Sequence, residues 1–212
     1  MLITLLRQLP PNGWPGLEGL MALLLGEQLG LQARPASAGP QGGRDVGLFD
    51  RASGLRKNID IEVKRYSDGA RPSRRMLFGE LAETARDRPL TEQWILVCTC
   101  ALPARLVGEL QDQGFRDGFD VVVLDYAQGN LSLLEVLVAS HPSVVAAWLS
   151  DQAIPLRARW TPALEEVRAH PAFAGARAGT RRAVVGAVRS VRRGREGARM
   201  AGAAGAGRPQ SP

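Results

Sequence analysis

The sequence predicts an α/β protein, a three-layer α/β/α sandwich around a central mixed β-sheet. Three observations predict it. At Asn58–Arg65, apolar Ile59, Ile61 and Val63 alternate with polar Asp60, Glu62 and Lys64, the period of a strand. Two further short, largely apolar runs, Trp94–Cys100 and Asp120–Tyr126, suit buried strands. Helical patterns separate and follow them. The resulting order is helix, strand, strand, helix, strand, helix, strand, helix, which reads as an early antiparallel hairpin followed by crossover units.

Taken in order, Pro15–Gly16 opens an amphipathic helix through Leu17, Leu20, Met21, Leu24, Gln28 and Leu31, with Gly30 as its stop. The Gly-, Pro- and Ala-rich stretch Arg34–Gly43 is loop. Asp45–Phe49 is a short strand, and Arg51–Lys57, centred on Ser53–Gly54, joins it to Asn58–Arg65 as a hairpin. Ser67–Ser73 is loop and Met76–Arg86 helix. Pro103–Gln113, Leu131–Ser140 and Pro142–Leu149 are helices as well. One domain is expected over 1–150, a connector over 151–176, and a basic Arg/Ala/Gly-rich, largely disordered tail over 177–212.

The net charge of +6 belongs to that tail. Residues 1–176 carry 18 Lys/Arg against 20 Asp/Glu, whereas 177–212 carry 9 against 1. Such a tail attracts phosphate backbones or anionic surfaces without specifying either. Of the 27 basic residues only Lys57 and Lys64 are lysines. The two cysteines, Cys98 and Cys100, lie side by side on one strand face and read as buried, inert thiols; His141 and His170 are too far along the chain to complete a metal site with them. Two cysteines make no disulfide framework, which fits a reducing cytoplasm. The Leu2–Leu6 run is too short for a signal peptide, and Glu18 and Glu27 interrupt the apolar stretch Leu17–Leu31, so no membrane association is expected.

The chemistry concentrates at Asn58–Arg65. Alternation puts Asp60, Glu62 and Lys64 on one face, within about 14 Å of each other by strand rise. Asp45 lies 17 positions before Glu62, on the strand that the hairpin folds back alongside. Two or three carboxylates and one ammonium on a single surface suit phosphodiester hydrolysis. Carboxylates hold a hard divalent cation, magnesium or manganese, which polarises the phosphate and acidifies a water. The ammonium orients that water or stabilises developing charge. On this reading Asp45 and Glu62 are metal ligands and Lys64 is the positioning cation, with Asp60 competing with Asp45. The plainer alternative is a solvated polar face with a cross-strand ion pair.

The residues Gln41-Gly42-Gly43-Arg44-Asp45 followed by Glu62-Val63-Lys64-Arg65-Tyr66 resemble the PD-(D/E)xK nuclease superfamily, notably its branch related to the Mrr-type restriction enzymes. The resemblance covers roughly 14–126 and implies a restriction-endonuclease-like fold. It favours Asp45 over Asp60, since a glycine-rich approach lets backbone and substrate come close. The proline usual before the aspartate is Arg44 here. Glu18 falls within the apolar arc of its helix; the resemblance implies that it assists metal binding, while a first-turn acid complementing the helix dipole is the other reading. Glu80 matches a recurring polar position but reads as a surface glutamate. Gln41 is a candidate contact to the scissile phosphate or a loop cap. Arg65, Arg71, Arg74 and Arg75 are candidate contacts to DNA phosphates.

Trp94–Thr99, Val122–Tyr126, His141-Pro142 and Arg157–Leu164 are similar to the N-terminal nuclease modules of bacterial anti-phage proteins governed by a STAND-type NTPase. No phosphate-binding loop motif is found, so such a regulator would act in trans or have been lost. The function implied is a Mg-dependent endodeoxyribonuclease acting on double-stranded DNA in defence against foreign DNA, as a homodimer if both strands are cut. The alternative is a catalytically silent or regulator-dependent nucleic-acid-binding module that keeps the fold.

Overall fold

The computed structural model describes residues 1–35, 46–127, 130–152 and 154–184. Asp45, Gln41 and the glycines between them lie outside the described residues, as does the tail from 185 onward.

Five strands form one mixed sheet in the sequential order β1-β2-β3-β4-β5: β1 Leu31–Pro35, β2 Val46–Asp50, β3 Arg56–Lys64, β4 Gln93–Cys98 and β5 Asp120–Leu124. The first two pairings are antiparallel and the last two parallel. That is the expected hairpin followed by crossovers. The crossovers are carried by α3 (Arg74–Asp87) and α4 (Ala104–Asp117). Remaining helices are α1 (Leu2–Leu6), α2 (Leu17–Leu29), α5 (Leu133–Ser140), α6 (Pro142–Gln152) and α7 (Ile154–Ala169). A further helical segment covers 173–184.

The two sheet faces are covered by different helices, which makes the three layers. Ile59, Ile61 and Val63 of β3, with Ile95, Val97, Val122 and Leu124, pack beneath α1, α2, α5, α6 and α7. Trp94, Leu96, Cys98 and Val121 pack against Leu77 and Leu81 of α3 and Leu106 and Leu110 of α4. The helix ends follow from local chemistry. Ser73 caps α3 by accepting from the Met76 amide. Gly30 and Gly118 end α2 and α4 at φ 69° and 91°, the left-handed region glycine enters without strain.

Several expectations need correcting. Residues 151–176 are not a connector: they contain α7, whose Trp160, Ala163, Leu164 and Val167 belong to the larger core. The first part of the basic tail is also built in, with Thr180 and Val184 buried. Edge strand β1 takes Arg34 and Pro35 from the loop expected at Arg34–Gly43 and Leu31 from the expected helix, and pairs with β2 from Leu31↔Asp50 to Pro35↔Val46. The Leu2–Leu6 run is a short helix, with Leu2, Ile3, Leu5 and Leu6 all buried. Among the described residues no single helix is long and apolar enough to cross a membrane; α5 and α6 together have the composition but are bent by 80° at their junction.

Candidate active site

Strand β3 lies in the middle of the sheet, in register with β4 such that Asp60 pairs with Trp94, Glu62 with Leu96 and Lys64 with Cys98. The three polar side chains therefore enter the layer covered by α3 and α4, not solvent. Asp60 is 1% exposed and Glu62 3%, so the solvated-face alternative does not describe them. Charges at this depth are costly unless paired, and each is paired in its own way.

Asp60 is held in a structural network. Its Oδ1 meets Arg56 Nη2 at 2.8 Å and Arg88 Nη1 at 3.2 Å, while Thr91 Oγ1 donates to Oδ2 at 2.5 Å. Arg88 is itself largely enclosed, and burial holds its guanidinium below the ordinary arginine value against the pull of Asp60. Both oxygens of Asp60 are thus committed to arginines and a threonine that hold β3 to the start of β4.

Lys64 instead gathers two carboxylates. Its Nζ lies 2.5 Å from Glu62 Oε1 and 2.6 Å from Glu80 Oε1. Glu62 comes from the same strand face, and Glu80 reaches down from α3, where it is only 18% exposed. The surface reading of Glu80 is therefore corrected. Burial acts to lower the Lys64 ammonium, but Glu62 and then Glu80 outweigh it and hold it above the ordinary lysine value. Lys64 is consequently a fixed cation at neutral pH.

The chain beyond Lys64 is pinned at the carboxyl end of the parallel strands. Thr99 Oγ1 accepts from the Tyr66 amide at 2.7 Å and donates to the Tyr66 carbonyl at 3.0 Å. Arg7 donates twice to the Thr99 carbonyl, at 3.0 and 2.8 Å, and its guanidinium lies 5.5 Å from the Tyr126 ring centroid. Burial pushes the Tyr66 phenol up. Cys98 and Cys100 are buried free thiols, as expected; their mutual hydrogen bond raises the Cys98 thiol and lowers that of Cys100.

The other candidates fall as follows. Val46, the residue bonded to Asp45, pairs with Ile61, the neighbour of Glu62; Asp45 itself is outside the described residues. Glu18 is in the first turn of α2, and its Oε2 accepts from the Gly13 amide at 2.6 Å. Helix α2 packs on the Ile59–Ile61–Val63 face, opposite the layer that Glu62 and Lys64 enter. That contact fits the helix-start reading of Glu18. Arg65 donates to the Arg7 carbonyl at 2.7 Å. Arg74 pairs with Glu109 at 2.9 Å and stacks 4.5 Å from the Phe78 centroid; Arg75 is exposed beside it at the start of α3. The sequence reading passed over Arg105 and Glu109, which pair at 2.9 Å; their i, i+4 spacing within Pro103–Gln113 was the signal.

Among the described residues no group of three His, Cys, Asp or Glu side chains converges as a metal cage. The donor chemistry nonetheless suits a hard divalent ion. Glu62 and Glu80 both lie within hydrogen-bonding reach of one atom, Lys64 Nζ, so their carboxylates share a small polar site between the sheet and α3. No protein-family model matches the chain, and no curated protein matches it either.

Proposed function

We propose that the chain is a divalent-metal-dependent endonuclease that hydrolyses phosphodiester bonds of double-stranded DNA, working in the cytoplasm in defence against foreign DNA. The observation that carries the reading is the Glu62–Lys64–Glu80 cluster: a protonated ammonium clamped by two carboxylates on the central strand of a mixed sheet. Surface lysines gain little from such pairing. A lysine three-quarters enclosed with two acids between a sheet and its helices is an expensive arrangement, and fixed charge of this kind is what transition-state stabilisation needs.

Glu62 and Asp45 are the residues that would hold magnesium or manganese, with Glu80 beside them. Asp45 is brought into the proposal by chain connection, because Val46 pairs with Ile61 next to Glu62. The bound ion would polarise the scissile phosphate and lower the pKa of a water. Lys64, held protonated by its two acids, orients the attacking water and offsets the negative charge that builds on the phosphate oxygens. Asp60 is assigned no part in the chemistry, since Arg56, Arg88 and Thr91 already occupy it. Glu18 is kept as a residue that supports the α2 start. Gln41, Arg65, Arg74 and Arg75 remain the proposed contacts to the nucleic-acid backbone, a homodimer the proposed cutting form, and an NTPase or sensor module the proposed regulator.

The test is incubation of the purified chain with supercoiled plasmid and magnesium, beside Glu62→Ala and Lys64→Ala. Nicked and linear products from the parent, abolished by EDTA and by either substitution, are expected. Cleavage that survives both substitutions would end the proposal. A parent that binds DNA without cutting it, even with manganese, would favour the silent or regulator-dependent module instead.

A further inference from the structure

A cleft of about 690 Å³ opens between the starts of α3 and α4, at the carboxyl end of the parallel strands. It is lined by Arg71, Arg74 and Arg105 over a floor that includes Leu102 and Leu106, with Glu109 as its single acid. Three positive charges against one negative make it strongly cationic, in a body whose first 176 residues are nearly neutral. It also adjoins the candidate active site. Arg74 precedes Glu80 on the same helix by six residues, about 9 Å along the axis, and both serve the sheet face that Lys64 enters.

Glu109 sits in this cleft in an informative way. Its Oε2 takes Arg74 Nε at 2.9 Å and its Oε1 takes Arg105 Nε at 2.9 Å. One carboxylate thus holds two guanidiniums, each through Nε; among the described residues their Nη groups have no hydrogen-bond partner. A phosphate offers the same pair of anionic oxygens to arginine forks. The arginines are well exposed, at 66% and 91% of their side chains, so the ion pairs are weak in water and are given up at little cost. The first-turn amides of α4 add to the attraction, because that helix begins at Pro103 with no side-chain cap.

We infer that this cleft is a docking groove for the phosphodiester backbone of duplex DNA, with Arg71, Arg74 and Arg105 as contacts and Glu109 as an internal stand-in for a phosphate. The inference rests on the nuclease reading for its choice of DNA, and adds to it the groove itself, Arg105 and an acid that competes with substrate. A surface arginine pairing would predict no consequence of losing Glu109. A phosphate seat predicts that binding tightens when the competing carboxylate is neutralised.

The experiment is fluorescence anisotropy of a labelled short duplex with the full chain in EDTA, over a salt series, so that binding is read without cleavage. The basic tail contributes equally in every variant, so the readout is the change in salt dependence. Arg71→Ala and Arg105→Ala should each lower the slope of log K against log salt by about 0.9, the share of one phosphate contact. Glu109→Gln should tighten binding at low salt, and Arg86→Ala, whose guanidinium pairs with Asp87 on the surface, should leave the slope as it was. Unchanged slopes in both arginine variants would overturn the groove, as would slopes that change for single-stranded RNA alone. No tightening in Glu109→Gln would overturn the role given to that residue. A parent that never nicks plasmid but shows the arginine-dependent slopes would sink the nuclease reading and keep the groove. Glu62-dependent nicking with unchanged slopes would do the reverse.

Discussion

Lys64 on the central strand and Glu80 on the helix above it meet at 2.6 Å, tying the sheet to its covering layer through one ammonium. Glu62 alone would leave that ammonium free to pivot about its own strand. If fixed orientation matters to the chemistry, Glu80→Ala should reduce magnesium-dependent plasmid nicking by at least about tenfold, the loss of a well-placed charge contact. Duplex affinity in EDTA should not change. Glu80→Gln keeps a hydrogen-bond acceptor for Lys64 and should recover part of the rate.

Asp60 makes the opposite prediction. Asp60→Asn takes the strongest of its counter-charges from the enclosed Arg88 guanidinium while Arg56 stays beside it, with Glu62 and Asp87 left to offset the charge. Breaking a buried pair from one side costs about 3 kcal/mol or more. Urea denaturation should show that loss as a lower midpoint at unchanged slope. A variant as stable as the parent would show that the network is not structural and would return Asp60 to the list of metal ligands.

Acid sensitivity should come partly from His141. Its Nε2 lies 2.9 Å from Gln28 Oε1, and burial lowers its pKa below the ordinary 6.5, with Arg177 also lowering it and Glu27 opposing. Between the lowered folded value and 6.5 the unfolded chain binds more protons than the folded one, so stability falls as pH drops through that window. It is fully present above 6.5. His141→Gln should flatten the dependence of the thermal midpoint on pH just below 6.5, and a dependence of unchanged steepness would refute the assignment.

Gly19 is a packing requirement, not a flexible point. A Cβ built there would stand 2.0 Å from the Trp14 carbonyl oxygen, a backbone atom that cannot swing aside. Gly19→Ala should cost about 1–3 kcal/mol by overpacking, read again from the urea midpoint. Because Glu18 is its neighbour and holds the Gly13 amide, the same change should disturb the entry to α2. Gly79→Ala, where nothing lies within 4 Å of the added carbon, is the matched control and should be tolerated.

The sheet's centre was legible because one face of β3 carries the core and the other the polar network, which writes a period of two into Ile59–Lys64, and because β4 and β5 are almost continuously apolar. The edges were not. Strand β1 does alternate, with Leu31 and Ala33 half-buried and Gln32 and Arg34 exposed, but two apolar residues, one of them alanine, are too short a signal to stand apart from the loop composition that follows. Helix α7 contains Pro162 and mixes arginines among its apolar residues, so its period is blurred although Trp160 is fully enclosed. In the site, spacing was enough to group Glu62 with Lys64. It could not separate Asp60 from them, since that separation depends on Arg88 and Thr91, about thirty positions away and brought near only by the crossover. Glu80 read as surface for the same reason: one helical glutamate looks like another until the strand beneath it is known.

Arg159 Nη1 and Gln8 Oε1 are 2.8 Å apart across 151 positions of chain, at the contact between α7 and α1. During synthesis the five strands can be laid side by side in the order in which they emerge, since neighbours in the sheet are neighbours in the chain. Leu2, Ile3, Leu5 and Leu6 have no complete surface to settle on until Trp160 has left the ribosome. The nascent chain should therefore carry an adhesive segment all the while the sheet is being made, and it is in that interval that a chaperone would find it.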